Sequence, residues 1–224
     1  MKRIGIIFSR RDNVCTGINN AYLTYFEQFG EIVYINPLSD TVIQDLDLLV
    51  LPGGRDVDPA RYGKKPHRQC GFPNLDMEYF DVNVLPLYIK DTNTPMVMIC
   101  RGAQTGNVNF GGTLQQHIAQ EFSGEDRSKK VDGLEFTTYG HQFAQNLGIG
   151  GRKKGEYKVN SIHHQGWWPE QVGEGFEVVA TNYKYGNVEA MYHPDRKLWA
   201  VQYHPEEMFD VLTTCVIRKK LINE

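Results

Sequence analysis

Residues 46–51, LDLLVL, form an apolar run that stops at Pro52-Gly53-Gly54. A run this short, without polar alternation, suits a strand buried on both faces, and such strands occur in parallel sheets covered by helices. A second run of the same kind, Met96 to Ile99, follows Pro95 and leads into Cys100 and a helix-like stretch from Gly102 to Phe110, closed by Gly111-Gly112. Two buried strands, each ending in a glycine-containing turn, call for an α/β architecture.

The rest of the chain fits that frame. Arg3 to Phe8 reads as a strand. Gly17 to Phe29 has helical spacing through Ile18, Tyr22, Tyr25, Phe26 and Phe29, and Ile32 to Ile35 reads as another strand. Residues 53–73, rich in Gly, Pro and charge, read as a long functional loop. Asn74 to Lys90 has helical spacing that Pro86 should kink or interrupt. The pattern weakens between about Gln120 and Gly155, where Arg152-Lys153-Lys154 reads as a solvated loop. Strands are expected at Tyr157 to Ile162, Phe176 to Thr181, Val188 to Tyr192 and Leu198 to Tyr203, then a helix from about Asp210. With no repeat and no linker in 224 residues, a single domain over 1–224 is expected.

Bulk properties exclude several classes of function. A formal charge of -3 and a pI near 6.2 give no electrostatic pull toward nucleic acid. The opening MKRIGIIFSRRDN breaks into charge too early for a signal-peptide core or a membrane span, so a cytoplasmic protein with no membrane partner is expected. Cys15, Cys70, Cys100 and Cys215 lack C-x-x-C spacing, which argues against a zinc knuckle or a disulfide framework.

Three short elements carry chemistry. Met98-Ile99-Cys100-Arg101-Gly102 has the form of a nucleophile elbow, a sharp strand-to-helix turn that exposes its central side chain, and the helix N-terminus would favour a thiolate. Taken alone, the same stretch would equally suit a buried cysteine at a strand end. Tyr203-His204-Pro205-Glu206 follows an apolar strand. Residues i and i+2 of an extended segment share a side, so Glu206 can orient the His204 imidazole while its other nitrogen faces a substrate. Cysteine, histidine and carboxylate then make a triad for acyl transfer. Pro52-Gly53-Gly54 could supply a bare N–H to an oxyanion. Competing readings are weaker: H-x-E lacks the P-C-x-x-C of zinc deaminases, no P-loop follows the glycines, and His163 and His164 point to opposite faces of an extended segment, which does not suit a metal site with His204.

Five ordered stretches, LPGGRDVDPARYG (51–63), ICRGAQTGNVNFGGTLQQHI (99–118), VNSIHHQG (159–166), VEAMYHPD (188–195) and AVQYHPE (200–206), resemble the class I glutamine amidotransferase-like family. The closest branch is that of the γ-glutamyl hydrolases, peptidase family C26, typified by γ-glutamyl-γ-aminobutyrate hydrolases. The resemblance implies a flavodoxin-like fold: a mostly parallel central sheet with helices on both faces and the elbow at its carboxyl edge. It implies Cys100 as nucleophile, His204 as base and acid, Glu206 as orienting carboxylate, and the N–H groups of Gly54 and Arg101 as an oxyanion hole. Gln104 falls where the family holds the glutamyl moiety, and Ser161, His163, His164 and Gln165 fall on the wall that contacts its α-amino and carboxylate end. Three positions depart from the pattern. Met98 stands where the elbow commonly begins with glycine, and Leu75 where relatives often carry an arginine of an ion pair. Trp167-Trp168 replaces smaller residues; either one ring packs into the core and the other lies on the surface, or at least one lines the pocket mouth beyond the γ-amide.

The chemistry so implied is hydrolysis of a γ-glutamyl amide through a thioester, with neither metal nor organic cofactor. One alternative is a glutaminase subunit that hands ammonia from glutamine to a synthetase partner. Another is a non-catalytic binding protein on the same fold. A homodimer is left open.

Overall fold

In a computed structural model, residues 1–8, 10–11, 15–16, 20–118, 131–149 and 153–224 are described. Strand β1 (Arg3–Ile7) is followed by a two-stranded ribbon of β2 (Arg10–Arg11) and β3 (Cys15–Thr16), then α1 (Asn20–Phe26), β4 (Glu31–Ile35) and β5 (Leu48–Leu51). Next come α2 (Leu75–Tyr79), α3 (Leu85–Asp91), β6 (Met96–Ile99), α4 (Arg101–Asn109), β7 (Val131–Phe136), α5 (Thr138–Asn146) and β8 (Lys158–Asn160). The chain closes with β9 (Glu177–Asn182), β10 (Val188–His193), β11 (Leu198–Val201) and α6 (Val211–Val216).

The main sheet is nine-stranded, in the order β4-β1-β5-β6-β11-β10-β9-β7-β8. From β4 to β11 every neighbouring pair is parallel; from β11 to β8 every pair is antiparallel. The α/β fold with helices on both faces stands, and the parallel part of the sheet covers half of the pairings rather than most. The reason lies in the connections: β9, β10 and β11 are joined by short turns, and a parallel return needs a crossover of a dozen residues or more. The parallel half agrees with the apolar runs that point to it.

Alternation along the buried strands divides the core between two faces. Leu48 and Val50 of β5, with Val97 and Ile99 of β6, pack with Tyr25 and Phe26 of α1 and with Leu212 and Val216 of α6. Leu49 and Leu51, with Met96 and Met98, pack on the other face with Met77, Leu85, Tyr88 and Val108 of α2, α3 and α4. Burying each such side chain contributes about 1.5–3 kcal/mol relative to exposure, so both faces of these strands are committed to helices.

Two local features position the site. Pro86 does not interrupt its helix; a π turn over Phe80–Val84 precedes it and turns Phe80, Asp81 and Val84 inward together. At the other end of the chain, Asp210 caps α6 by accepting from Thr213 N–H at 2.7 Å, and it also accepts the Tyr203 hydroxyl at 3.2 Å and that of Tyr157. This ties the start of α6 to β11 and fixes the turn between them.

Some expectations fall on residues the structure does not describe. Residues 17–19 of the predicted first helix, residues 119–130, Arg152 and the side chain of Cys15 lie outside. Within the weakly patterned stretch, β7 and α5 are regular elements that periodicity does not mark. Lys154 there is exposed and pairs with Glu135 at 2.7 Å.

Candidate active site

Cys100 sits between β6 and α4 with φ 51° and ψ −108°. Positive φ is strained for a residue with a β-carbon, at a cost of order 1–3 kcal/mol, and the surrounding structure must hold it. Gly102 is one of the holds: a β-carbon there would collide with the Leu51 carbonyl, so only glycine lets α4 approach β5 this closely. Met98 is accommodated by Gly106, since its sulfur lies where a side chain at 106 would begin.

The Arg101 side chain, 1% exposed, anchors the turn from below. It pairs with Glu78 at 2.7 Å and Asp81 at 2.5 Å, and its Nε donates to the Arg55 carbonyl at 3.2 Å. Arg61 completes the cluster, 3.0 Å from Asp81, and Thr105 donates to the same carboxylate at 3.0 Å. Leu75 takes no part; it is exposed at the start of α2, and the ions come from Glu78 and Asp81 one and two turns along.

Across from the elbow, Nδ1 of His204 donates to Glu206 Oε1 at 2.6 Å. Glu206 is 1% exposed. Asn160, at the end of β8, clamps the His204 backbone twice, accepting from its N–H and donating to its carbonyl, each at 2.8 Å. Burial acts to lower the His204 pKa. The charge and hydrogen bond of Cys100, and then those of Glu206, outweigh it and hold the imidazole well above its ordinary range. Gly53 is glycine for closeness, because a β-carbon there would lie 2.7 Å from His204 Cε1. The structure therefore brings Cys100, His204 and Glu206 together and sets the Gly53-Gly54 turn against the ring.

A row of amides forms the wall. Gln202 donates to the Cys100 sulfur at 3.6 Å; Gln104, 3% exposed, donates to Gln202 Oε1 at 3.3 Å and to the Gln165 carbonyl at 3.4 Å. Gln165 in turn donates to Cys70 at 3.6 Å. His163 is buried, and burial pushes its pKa down to about 4, so the ring is neutral at ordinary pH. Its Nδ1 donates to the Gln165 carbonyl at 2.8 Å, and Ser161 hydroxyl lies 3.3 Å from its Nε2. His164 turns the other way, to Asp56 at 3.0 Å. Burial would raise Asp56, but hydrogen bonds from His164 and the Gly71 N–H hold it below the usual carboxylate range. Both histidines are thus engaged with different partners. Among the described residues no group of three His, Cys, Asp or Glu side chains is placed to hold a metal ion.

The tryptophans separate. Trp167 is fully buried in the core on the α2–α4 face, so it does not line a pocket mouth, and Trp168 is half-buried at the start of a short 3-10 turn. Sequence reasoning does not single out Asn160, Gln202 or the Arg101 side chain. The first two lie inside the stretches VNSIHHQG and AVQYHPE, which are the available signal.

A strained strand–turn–helix elbow at the carboxyl edge of a mixed α/β sheet, faced by a histidine–carboxylate pair, places the molecule among α/β proteins with a nucleophile elbow. Peptidase C26 matches residues 9–206. A Lactococcus lactis protein, provisionally named glutamine amidotransferase-like, is 30% identical over 191 residues, covering 83% of this chain and 79% of that protein. A Mycobacterium tuberculosis protein, provisionally named a glutamine amidotransferase, is 34% identical over 177 residues, covering 76% of this chain and 54% of its own length. Among solved structures, a Thermoplasma acidophilum protein provisionally described as a GMP synthase subunit superposes with a TM-score of 0.64 at 22% identity, over 97% of this chain and 91% of that one. Thermotoga maritima PurLQS gives 0.62 at 17% identity, over 99% and 98%. At those identities the structures share the fold. The chain belongs to the class I glutamine amidotransferase-like proteins, in the peptidase C26 family.

Proposed function

We propose that the protein is a cysteine-dependent hydrolase of γ-glutamyl amides. The observation that carries this reading is the strained Cys100 elbow interacting with an imidazole that Glu206 orients at 2.6 Å. Cys100, as thiolate, attacks the γ-carbonyl carbon and forms the C–S bond. The oxyanion is received by the N–H groups of Gly54 and Arg101, the latter in the first turn of α4, where N–H groups have no partner within the helix. As the C–N bond breaks, His204 passes its proton to the departing amine. Water then gives a proton to His204 and its oxygen to the thioester carbonyl; the C–S bond breaks, glutamate leaves and the thiolate returns. The row Gln104, Gln165 and Gln202, backed by Ser161 and neutral His163, shapes the wall for the glutamyl group, and His164, paired with Asp56, contributes from beyond it. Nothing in this cycle calls for a metal or organic cofactor.

The names of relatives favour one second reading. A Blochmanniella pennsylvanica protein named GMP synthase [glutamine-hydrolyzing] is 24% identical over 148 residues, which is 62% of this chain but 27% of that protein. A glutaminase handing ammonia to a separate synthetase would use the same chemistry. The test is turnover of glutamine and of several γ-glutamyl amides, with peptide mapping of a glutamine-derived diazoketone. The expected result is hydrolysis of bulky γ-glutamyl amides, label on Cys100 in preference to Cys15, Cys70 or Cys215, and loss of turnover in a folded Cys100→Ala protein. Cys70 should stay unlabelled, because burial and the Asp56 carboxylate push its thiol up to about 11. Activity on glutamine alone, rising when a synthetase is added, would replace the hydrolase reading with the second one. Turnover surviving in Cys100→Ala would end both.

A further inference from the structure

The inward stripe of α1 reads as core from its spacing, and the ring of Tyr22 behaves that way. It is 5% exposed and stacks on Phe26 with centroids 6.5 Å apart and planes 6° from parallel. Its hydroxyl does something else. The oxygen accepts the Gly53 N–H at 2.8 Å and lies 3.5 Å from Nδ1 of His204.

Hydrogen-bond accounting decides where the hydroxyl proton goes. Nδ1 of His204 already donates to Glu206, so it cannot accept from Tyr22. Gly53 N–H is itself a donor. The remaining acceptor at this point is the Glu206 carboxylate, whose charge and hydrogen bonding act on the Tyr22 hydroxyl and whose Oε2 is buried without a hydrogen-bond partner among the described residues. A buried carboxylate oxygen left unpaired is costly, which favours turning the Tyr22 hydroxyl proton toward Glu206. Burial, followed by the Glu206 charge, raises the Tyr22 pKa well above its ordinary value, so the hydroxyl keeps its proton.

We propose that Tyr22 is a positioning residue: one hydroxyl ties the turn bearing Gly54 to the His204–Glu206 pair and keeps them at one spacing. The oxyanion donor follows β5 and the proton carrier follows β11, and each is reached through a loop. The glycine at 53 is what allows the three to meet, since a β-carbon there would lie 3.2 Å from the Tyr22 oxygen as well as against His204. The proposal rests on the reading of Cys100 and His204 as the reacting pair, and its test is arranged so that the two can fail separately.

Tyr22→Phe keeps the ring and removes the hydroxyl. The expected result is a kcat on a γ-glutamyl amide lowered roughly tenfold to a hundredfold, the range for losing a hydrogen bond to a charged group, with KM unchanged. The resonance of the His204 Nδ1 proton should also move downfield, because Glu206 no longer shares its charge with a second donor. A merely structural role for Tyr22 would leave that resonance in place. If the wild-type protein turns over substrate and labels at Cys100, but Tyr22→Phe matches it in kcat and in the Nδ1 resonance, the positioning role is overturned while the reading of the site stands. If the wild type shows neither turnover nor preferential Cys100 labelling, that reading falls and Tyr22 has nothing to position. Should the variant not fold, the wild-type protein still decides. A slowly exchanging Tyr22 hydroxyl proton close to the His204 Nδ1 proton supports the proposal, and a hydroxyl in fast exchange with solvent overturns it.

Discussion

The two sides of Cys100 are held by different forces. On the elbow side, Arg101, Arg61, Glu78 and Asp81 form a buried ionic cluster under a backbone turn with positive φ. On the facing side the His204–Glu206 pair is set among neutral groups that hold it by hydrogen bonds: Asn160 twice to the His204 backbone, Gln104 to Gln202, neutral His163 to the Gln165 carbonyl. The parallel half of the sheet supplies the first side, while the end of β11 and the antiparallel strands beyond it supply the second. Charges buried together stabilise a strained turn because none can leave without exposing another to an apolar interior. Hydrogen-bonded neutral groups restrain more gently, which suits a ring that must take up and release a proton.

This contrast can be broken at three places. The largest effect is expected from Arg101→Met, which keeps the volume but leaves Glu78 and Asp81 with Arg61 alone. Removing one partner of a buried ion pair typically costs 3–5 kcal/mol, and with Arg61 still present about 3 kcal/mol is expected. Urea unfolding measures it, and an unchanged midpoint would mean that the cluster is not what holds the elbow.

Acid should act on the other side. His163 has a folded-state pKa of about 4, below its unfolded value near 6.5, so the unfolded chain binds more protons between those two pH values. Its contribution to stability is complete above about pH 6.5 and falls as the pH drops toward 4. Between pH 7 and 5 this one group should cost about 2 kcal/mol. His163→Gln should remove that part of the pH dependence. If the variant and the wild type lose stability equally over this range, the buried imidazole is not the sensor.

Asn160→Ala should have the smallest effect and sharpen the comparison. It releases the His204 backbone without touching a charge, so about a tenfold loss in kcat, or 1.4 kcal/mol, is expected with little change in unfolding midpoint. Equal losses of stability for Asn160→Ala and Arg101→Met would erase the distinction between the two sides.

Much of this is legible in the amino-acid sequence. The runs LLVL and MVMI announce buried parallel strands because a strand covered on both faces has no position to spare for a polar residue. Cys100 followed by Gly102, and His204 followed two residues on by Glu206, announce an elbow and an oriented imidazole because each depends on neighbours within a few residues. Local geometry of that kind is written in the spacing. Meetings between distant segments are settled by tertiary packing alone. Tyr22 is legible as a helix-face aromatic, but its hydroxyl has meaning only beside Gly53 and His204, 31 and 182 residues away. Asn160 reaches His204 across 44 residues, and Asp81, one of the two carboxylates under the elbow, comes from a π turn that no periodicity announces. The antiparallel half is open to the same difficulty, since an apolar strand looks alike whichever way its neighbour runs. Hydrogen bonds between chain-distant groups depend on where whole elements pack, and packing is a property of the assembled core that no local window contains.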